Sequence, residues 1–181
     1  MYVVSHIGGT CGDLITAVID STDTHINWTA AVKLPMNRVT LKQGKLKTDN
    51  EVSQYLLDIF KKYKSVSSHS PIPIENIKLI NPVIYDKKIA IWAAHRFTRV
   101  NLKKPYNDYM CRECKNDEEY ANILLDHCQF VTEMNTNPDT ILIDVRDIVE
   151  GNLIKKLQNY IDTELDNNFY QRWLSYGINR M

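Results

Sequence analysis

The chain lacks most features that would assign it quickly. No apolar run approaches the ~20 residues needed to cross a bilayer. The opening run, MYVVSHI, has no basic segment before it and no small-residue cleavage site after it, so no secretory leader is expected. Only four cysteines (Cys11, Cys111, Cys114, Cys128) occur in 181 residues. That is too few for a disulfide framework, and a reduced, cytoplasmic setting is expected. Net charge is absent as well, with 22 basic against 22 acidic residues. Zinc-finger, RNA-recognition and helix-turn-helix patterns are missing, which leaves nucleic-acid binding without a motif. What remains is 44% hydrophobic and 24% charged, in a length that fits one domain, 1–181, with an ample core.

Acids are locally missing too. Between Asp23 and Asp49 stand five basic residues (Lys33, Arg38, Lys42, Lys45, Lys47) and no acid. From Lys87 to Lys104 stand six (Lys87, Lys88, Arg96, Arg99, Lys103, Lys104), again with no acid. From Asp108 to Glu150 the balance reverses to eleven acids against three bases. Two basic segments suit a polyanionic small ligand. Solvated surface stretches give the same pattern and are the commoner case.

Glycine is scarce, yet three of the six glycines, Gly8, Gly9 and Gly12, fall within five positions. They follow a Val- and Ile-rich run that reads as a buried parallel strand, and they precede a mostly apolar helix through Leu14, Ile15, Ala17, Val18 and Ile19. A strand, a glycine turn and a helix N-terminus attract phosphate or sulfate, because unpaired amides and the positive end of the helix dipole converge there. The Walker pattern is nevertheless absent: Gly8 and Gly12 are one residue too close, and Asp13 stands where the lysine belongs. The GxGxxG dinucleotide pattern fails too. The plain alternative is a strand-to-helix turn that binds nothing.

Periodicity organises the rest. A second strand is expected near Trp28 to Leu34, followed by a polar, basic stretch to Lys47. Thr48 and Glu51 form a capping box for an amphipathic helix over 49–63. Lys64 to His69 reads as a short strand, Ile89 to Ala94 (IAIWAA) as a central one and Ile141 to Val145 as the last. Helices are expected over Asp117 to Met134, after Gly151, and around Phe169, Trp173 and Tyr176. The alternation predicts an α/β fold in three layers, a mainly parallel sheet with helices on both faces. Ligands then bind at the carboxyl ends of strands, which points to the Gly8–Asp13 loop, His69, and His95 to Asn101.

Taken in order, those places resemble the sulfotransferase family of the P-loop superfamily. GGTCGDL resembles the family's first loop, with Gly9-Thr10 as its Gly-Thr pair. SVSSHSPIP is similar to its Thr-His-Leu-Pro signature through Ser68, His69 and Pro71. KIAIWAAHRFTRVNL offers Arg96, with Asn101 near a serine position, for the strand and following residues that bind a donor 3′-phosphate. ILIDVRDIVEGNLIKKLQNYI looks like the last strand and its acidic turn, with Asp147 in the turn. The resemblance implies a P-loop-like domain that transfers a sulfuryl group from PAPS, a small-molecule donor, to a hydroxyl or amine acceptor. It implies that backbone amides of Gly8, Gly9, Cys11, Gly12 and Asp13, with Thr10, hold the 5′-phosphosulfate. Arg96, with Arg99 and Asn101, would hold the 3′-phosphate, and His69 would deprotonate the acceptor. Gly8 stands in place of the family's loop lysine, so leaving-group charge needs another cation; Lys45, Lys103 and Lys104 are candidates. A small nucleotide or metabolite kinase and a non-enzymatic interaction or structural protein are the alternatives.

Other residues have two readings each. His6 in the first strand reads as a buried, hydrogen-bonded core histidine. His95 at a strand end is structural or lines the cleft. Cys111-Arg-Glu-Cys114 with His127 and Cys128 invites zinc, but His127 and Cys128 point about 100° apart on one helix and leave a closed site without its fourth ligand. Cys11 at a helix N-terminus is expected to have a lowered pKa. Asp144, Asp147 and Glu150 cap the next helix or face solvent rather than bind metal. Exposed aromatics in the last helix (Phe169, Trp173, Tyr176) would support a homodimer.

Overall fold

The computed structural model describes residues 1–20, 38–39, 54, 57–58, 60–61, 63–68, 77–100 and 114–177, with side chains described except at 38–39, 98–100 and 176–177. Five parallel strands form its sheet: β1 (Tyr2–Ser5), β2 (Arg38–Val39), β3 (Ser65–Ser68), β4 (Lys78–Val83) and β5 (Thr140–Asp144). Their spatial order is β2-β3-β1-β4-β5. Helices α1 (Gly12–Asp20), α2 (Lys87–Val100), α3 (Asp117–Glu133), α4 (Val145–Val149), α5 (Leu153–Gln158) and α6 (Asn167–Gly177) accompany them among the described residues. Positions 54, 57, 58 and 60 are helical as well. The fold is α/β with a parallel sheet, as the alternation of elements predicts.

β1 is the middle strand. Tyr2, Val3 and Val4 are all buried, although successive side chains point to opposite faces of a strand. Both faces of the sheet are therefore covered at its centre. Val3 lies opposite Val66 and Leu79, and Val4 opposite Ser67 and Ile80. α1 packs on β1 and β3 and meets α6, while α2 packs along α3, which covers β4. The connection after β1 leads toward β3 and β2; the one after β4 leads the other way to β5. The chain thus reverses its direction of winding between β1 and β4, the place where parallel sheets open a crevice.

Two elements differ from the sequence expectation. Ile89 to Ala94 is not a strand but the middle of α2. Asp86 decides this: its Oδ1 accepts the amides of Lys88 (2.8 Å) and Ile89 (3.1 Å), which caps the helix. Those amides, the Ile89 amide foremost, together with Arg146, hold the Asp86 carboxyl below the usual range. The apolar run then divides by helical spacing: Ala90, Ala93 and Ala94 are buried, while Ile91 and His95 point outward. The strand that does stand beside β1 is β4, KLINPV, where no strand is expected. Its Pro82 is tolerated because β1 pairs only as far as Ile80; beyond it β4 pairs with β5 alone.

The remaining elements fall near expectation. β3 and β5 are Ser65–Ser68 and Thr140–Asp144, and α3 is Asp117–Glu133 with Tyr120, Leu124 and Cys128 buried. β2 lies inside the stretch read as polar and basic, while the strand expected at 28–34 falls outside the described residues. Phe169 and Trp173 are fully buried against the main core rather than exposed, which removes them as a dimer surface. The hydroxyl of Tyr170 in α6 donates to Ile148 O (2.5 Å) and accepts from the Leu153 amide (3.3 Å), which ties α6 to α4 and α5. Burial pushes that phenol up to about 12. No helix among the described residues is long and apolar enough to cross a membrane.

Candidate site at the loop after the central strand

The loop of residues 6–11 leaves the carboxyl end of β1 between the ends of β3 and β4. Three features of the sequence shape it. Gly9 has φ +99° and Cys11 φ +63°, both in the left-handed region, so the chain reverses twice before α1 begins. Thr10 is wholly buried, and both its amide (3.3 Å) and its hydroxyl (2.8 Å) donate to Ile7 O. The carbonyl of Cys11 receives the first free helical amides, from Leu14 (3.1 Å) and Ile15 (3.2 Å).

α2 covers one side of the loop. A Cβ at Gly8 would lie 2.5 Å from the Phe97 ring, and one at Gly9 would lie 3.0 Å from Ala93 O. The Tyr120 hydroxyl donates to Gly8 O at 2.8 Å, and its ring lies 5.2 Å from that of Phe97. Tight packing by a helix is therefore one reason for the glycines. Among the described residues, the amides of Gly9, Cys11 and Gly12 meet no acceptor. Gly9, Cys11 and Asp13 are the partly exposed members of the turn.

Among the described residues, Arg96 reaches this turn. Arg96 Nη1 donates to Cys11 Sγ at 2.9 Å. Its guanidinium lies near two indoles, 5.6 Å from the Trp92 ring centre and 4.8 Å from that of Trp173. Both rings are within cation–π range of the guanidinium, whose N–H groups remain its hydrogen-bond donors. The expected lowering of the Cys11 pKa is not found. Burial raises it, outweighing the Arg96 charge and hydrogen bond, and Asp13 adds to the rise. Cys11 is thus a thiol, and its S–H faces Gly9 O at 3.9 Å.

Asp13, at the position of the missing lysine, turns toward β3. Its Oδ1 accepts from the Ser67 hydroxyl at 2.6 Å, and Ser67 Oγ lies 2.7 Å from His6 Nε2. His6 Nε2 is itself 3.5 Å from Asp13 Oδ1, and its Nδ1 is 3.2 Å from Ile7 O. A Cβ at Gly12 would lie 2.2 Å from the His6 ring, so the third glycine exists to let that ring in. His6 is buried and hydrogen-bonded as expected, although it lies just past the end of β1 rather than within the strand.

Of the expected site residues, Gly8, Gly9, Thr10, Cys11, Gly12, Asp13 and Arg96 come together here. Arg99 lies in α2 with its side chain undescribed, and His69 and Asn101 lie outside the described residues. His95 is on a helix, not at a strand end, and is paired with Asp117 at 2.8 Å. Asp144 Oδ1 caps α4 through the Arg146 amide (2.9 Å), and Asp147 pairs with Lys156 (3.1 Å). No group of three or more His, Cys, Asp or Glu that could hold a metal occurs among the described residues. Ser67, Trp92 and Trp173 belong to the site, although the sequence reading did not mark them as site residues. The i, i+4 spacing of Trp92 and Arg96 on a helix is the signal that finds the first tryptophan. Compared with family models, with curated proteins and with solved structures, the chain gives no match in any of the three.

Proposed function

We propose that this chain binds a phosphate- and sulfate-bearing nucleotide of the PAPS type at the loop after β1, and transfers its sulfuryl group to a hydroxyl or amine acceptor. In that reaction the bond between sulfur and the 5′-phosphate oxygen breaks, a bond from sulfur to the acceptor forms, the acceptor's proton passes to a base, the role expected of His69, and the leaving phosphate gains negative charge. Little is asked of the protein beyond in-line positioning and neutralisation of oxygens. Three amides that meet no acceptor among the described residues, at the crevice of a parallel sheet, support anion binding there.

The observation that carries the reading is the 2.9 Å approach of Arg96 to Cys11. It brings a guanidinium to a loop that lacks its lysine. That contact supports a second role for Arg96 beside the expected 3′-phosphate contact, that of meeting the charge that develops on the leaving group. Arginine suits that place because its planar fork grips two oxygens at once.

Isothermal titration with adenosine 3′,5′-bisphosphate and with ATP plus Mg²⁺ tests the proposal. The bisphosphate is expected to bind, and Arg96→Ala to weaken it at least about tenfold, or ~1.4 kcal/mol. Arg96→Lys is expected to recover only part of the loss. Preference for Mg²⁺–ATP would favour a kinase instead. Binding of neither ligand would leave a non-enzymatic domain, a reading that the Phe97 ring packed over Gly8 favours.

A further inference from the structure

Tyr120 carries one atom more than its place in the core requires. It lies on the buried stripe of α3 with Leu124 and Cys128, where an apolar side chain fills the space. The residue is wholly buried, and its ring packs 5.2 Å from that of Phe97. A buried phenol calls for a polar partner. Its hydroxyl reaches out of the helix layer and donates to Gly8 O at 2.8 Å.

That contact fixes more than one atom. The carbonyl of Gly8 and the amide of Gly9 belong to one planar, trans peptide, so they point in opposite directions. Holding Gly8 O against Tyr120 turns Gly9 N–H away from it. Burial follows the same division: Gly8 is buried and Gly9 is partly exposed. Gly9 N–H meets no acceptor among the described residues. The following residue is fastened separately, since the amide and hydroxyl of Thr10 both donate to Ile7 O.

The Gly8–Gly9 peptide needs an anchor of this kind. Packing demands glycine at both ends, because a Cβ at Gly8 would meet the Phe97 ring and one at Gly9 would meet Ala93 O. Two glycines also remove the steric cost that otherwise holds a peptide in one orientation, as glycine takes negative φ about as readily as the +99° found at Gly9. Turned over, the peptide would present Gly8 O, an acceptor, where an anion needs donors. We propose that Tyr120 is a positioning residue of the loop: its hydroxyl holds the Gly8–Gly9 peptide with the amide outward, ready for an anionic oxygen of the ligand. That use of the amide rests on the reading of the loop as an anion site; the anchoring of the peptide does not.

Tyr120→Phe in the intact chain tests it, because only the hydroxyl is removed and the aromatic ring beside Phe97 is kept. Residual dipolar couplings of the backbone amides give the direction of each N–H, and calorimetric titration with adenosine 3′,5′-bisphosphate gives the affinity. In the unchanged chain Gly9 N–H is expected to hold one direction, opposed to Gly8 C=O. In Tyr120→Phe the Gly9 coupling is expected to fall toward an average of two orientations while those of β1 and α1 stay. Bisphosphate affinity is expected to fall about tenfold, the effect of losing one hydrogen bond to a charged group. An unaltered Gly9 coupling in the variant, or an unaltered affinity beside an altered coupling, would overturn the proposal. So would a Gly9 N–H that already averages two directions in the unchanged chain, a result that needs no variant to fold. An altered coupling in the variant, with no bisphosphate binding by the unchanged chain, would support the anchor and count against the anion site. Binding by the unchanged chain with an unaltered coupling in the variant would keep the anion site and remove the anchor.

Discussion

Trp173→Ala is expected to lower the unfolding free energy by about 3–5 kcal/mol, the range for deleting a fully buried large aromatic. Trp173 is 1% exposed and among the largest fully buried side chains. It holds three parts of the molecule together. Its ring stacks on Tyr170 in the same helix, with centres 6.4 Å apart and planes 15° from parallel. It supports Arg96 of α2 from one face at 4.8 Å. Its helix follows a turn in which the Asp166 amide donates to Val18 O of α1 at 3.0 Å. Removing the indole leaves a cavity at the meeting of α1, α2 and α6, and the rigid stack on Tyr170 limits collapse into it. For a chain of this length such a loss corresponds to a melting temperature lower by roughly 6–20 °C. Urea or thermal unfolding measures it. A loss below about 1 kcal/mol would mean that α6 does not dock as described.

Gly12→Ala is expected to cost about 1–3 kcal/mol, as an added methyl does in a closed core. The new Cβ would lie 2.2 Å from two ring carbons of His6. That ring cannot swing aside cheaply, since its nitrogens are engaged by Ile7 O at 3.2 Å and Ser67 Oγ at 2.7 Å. Either α1 shifts or the His6–Ser67–Asp13 cluster opens. Unfolding measurements give the cost, and the His6 ring nitrogens show which route is taken. A stable variant with unchanged ring signals would contradict the close approach of Gly12 to His6.

The legible part of this sequence was the part where local and tertiary signals agree. β1 and its glycine turn are such a case: a Val-rich run that is buried on both faces, then glycines with no competing helix signal. α3 is another, because its apolar positions recur at helical spacing and Asn116 caps it, accepting the Glu119 amide at 2.9 Å. Where the two kinds of signal conflict, the sequence misleads. Six apolar residues at 89–94 satisfy a buried strand as well as a helix, and only the capping contacts of Asp86 separate them. β4 contains Asn81 and Pro82, which argue against a central strand; its pairing with the short β1 makes the proline harmless.

The site was legible as a location and not as a chemistry. Burial outweighs the charges around Cys11, which no local pattern reveals. Arg96 was identified through a strand that does not exist, yet the helix that replaces it brings the same guanidinium to the loop. Ser67 could not be singled out because SVSS offers three serines, and only the register of β3 against β1 selects the one beside His6.

The most direct measurement follows backbone amides by NMR while adenosine 3′,5′-bisphosphate is added to the intact chain. If the loop after β1 grips an anion, the amides of Gly9, Cys11 and Gly12 and the side-chain Nε–H of Arg96 shift together and saturate with one dissociation constant. If those four signals stay still while others move, or if nothing moves, the turn only redirects the chain and the proposed activity is wrong.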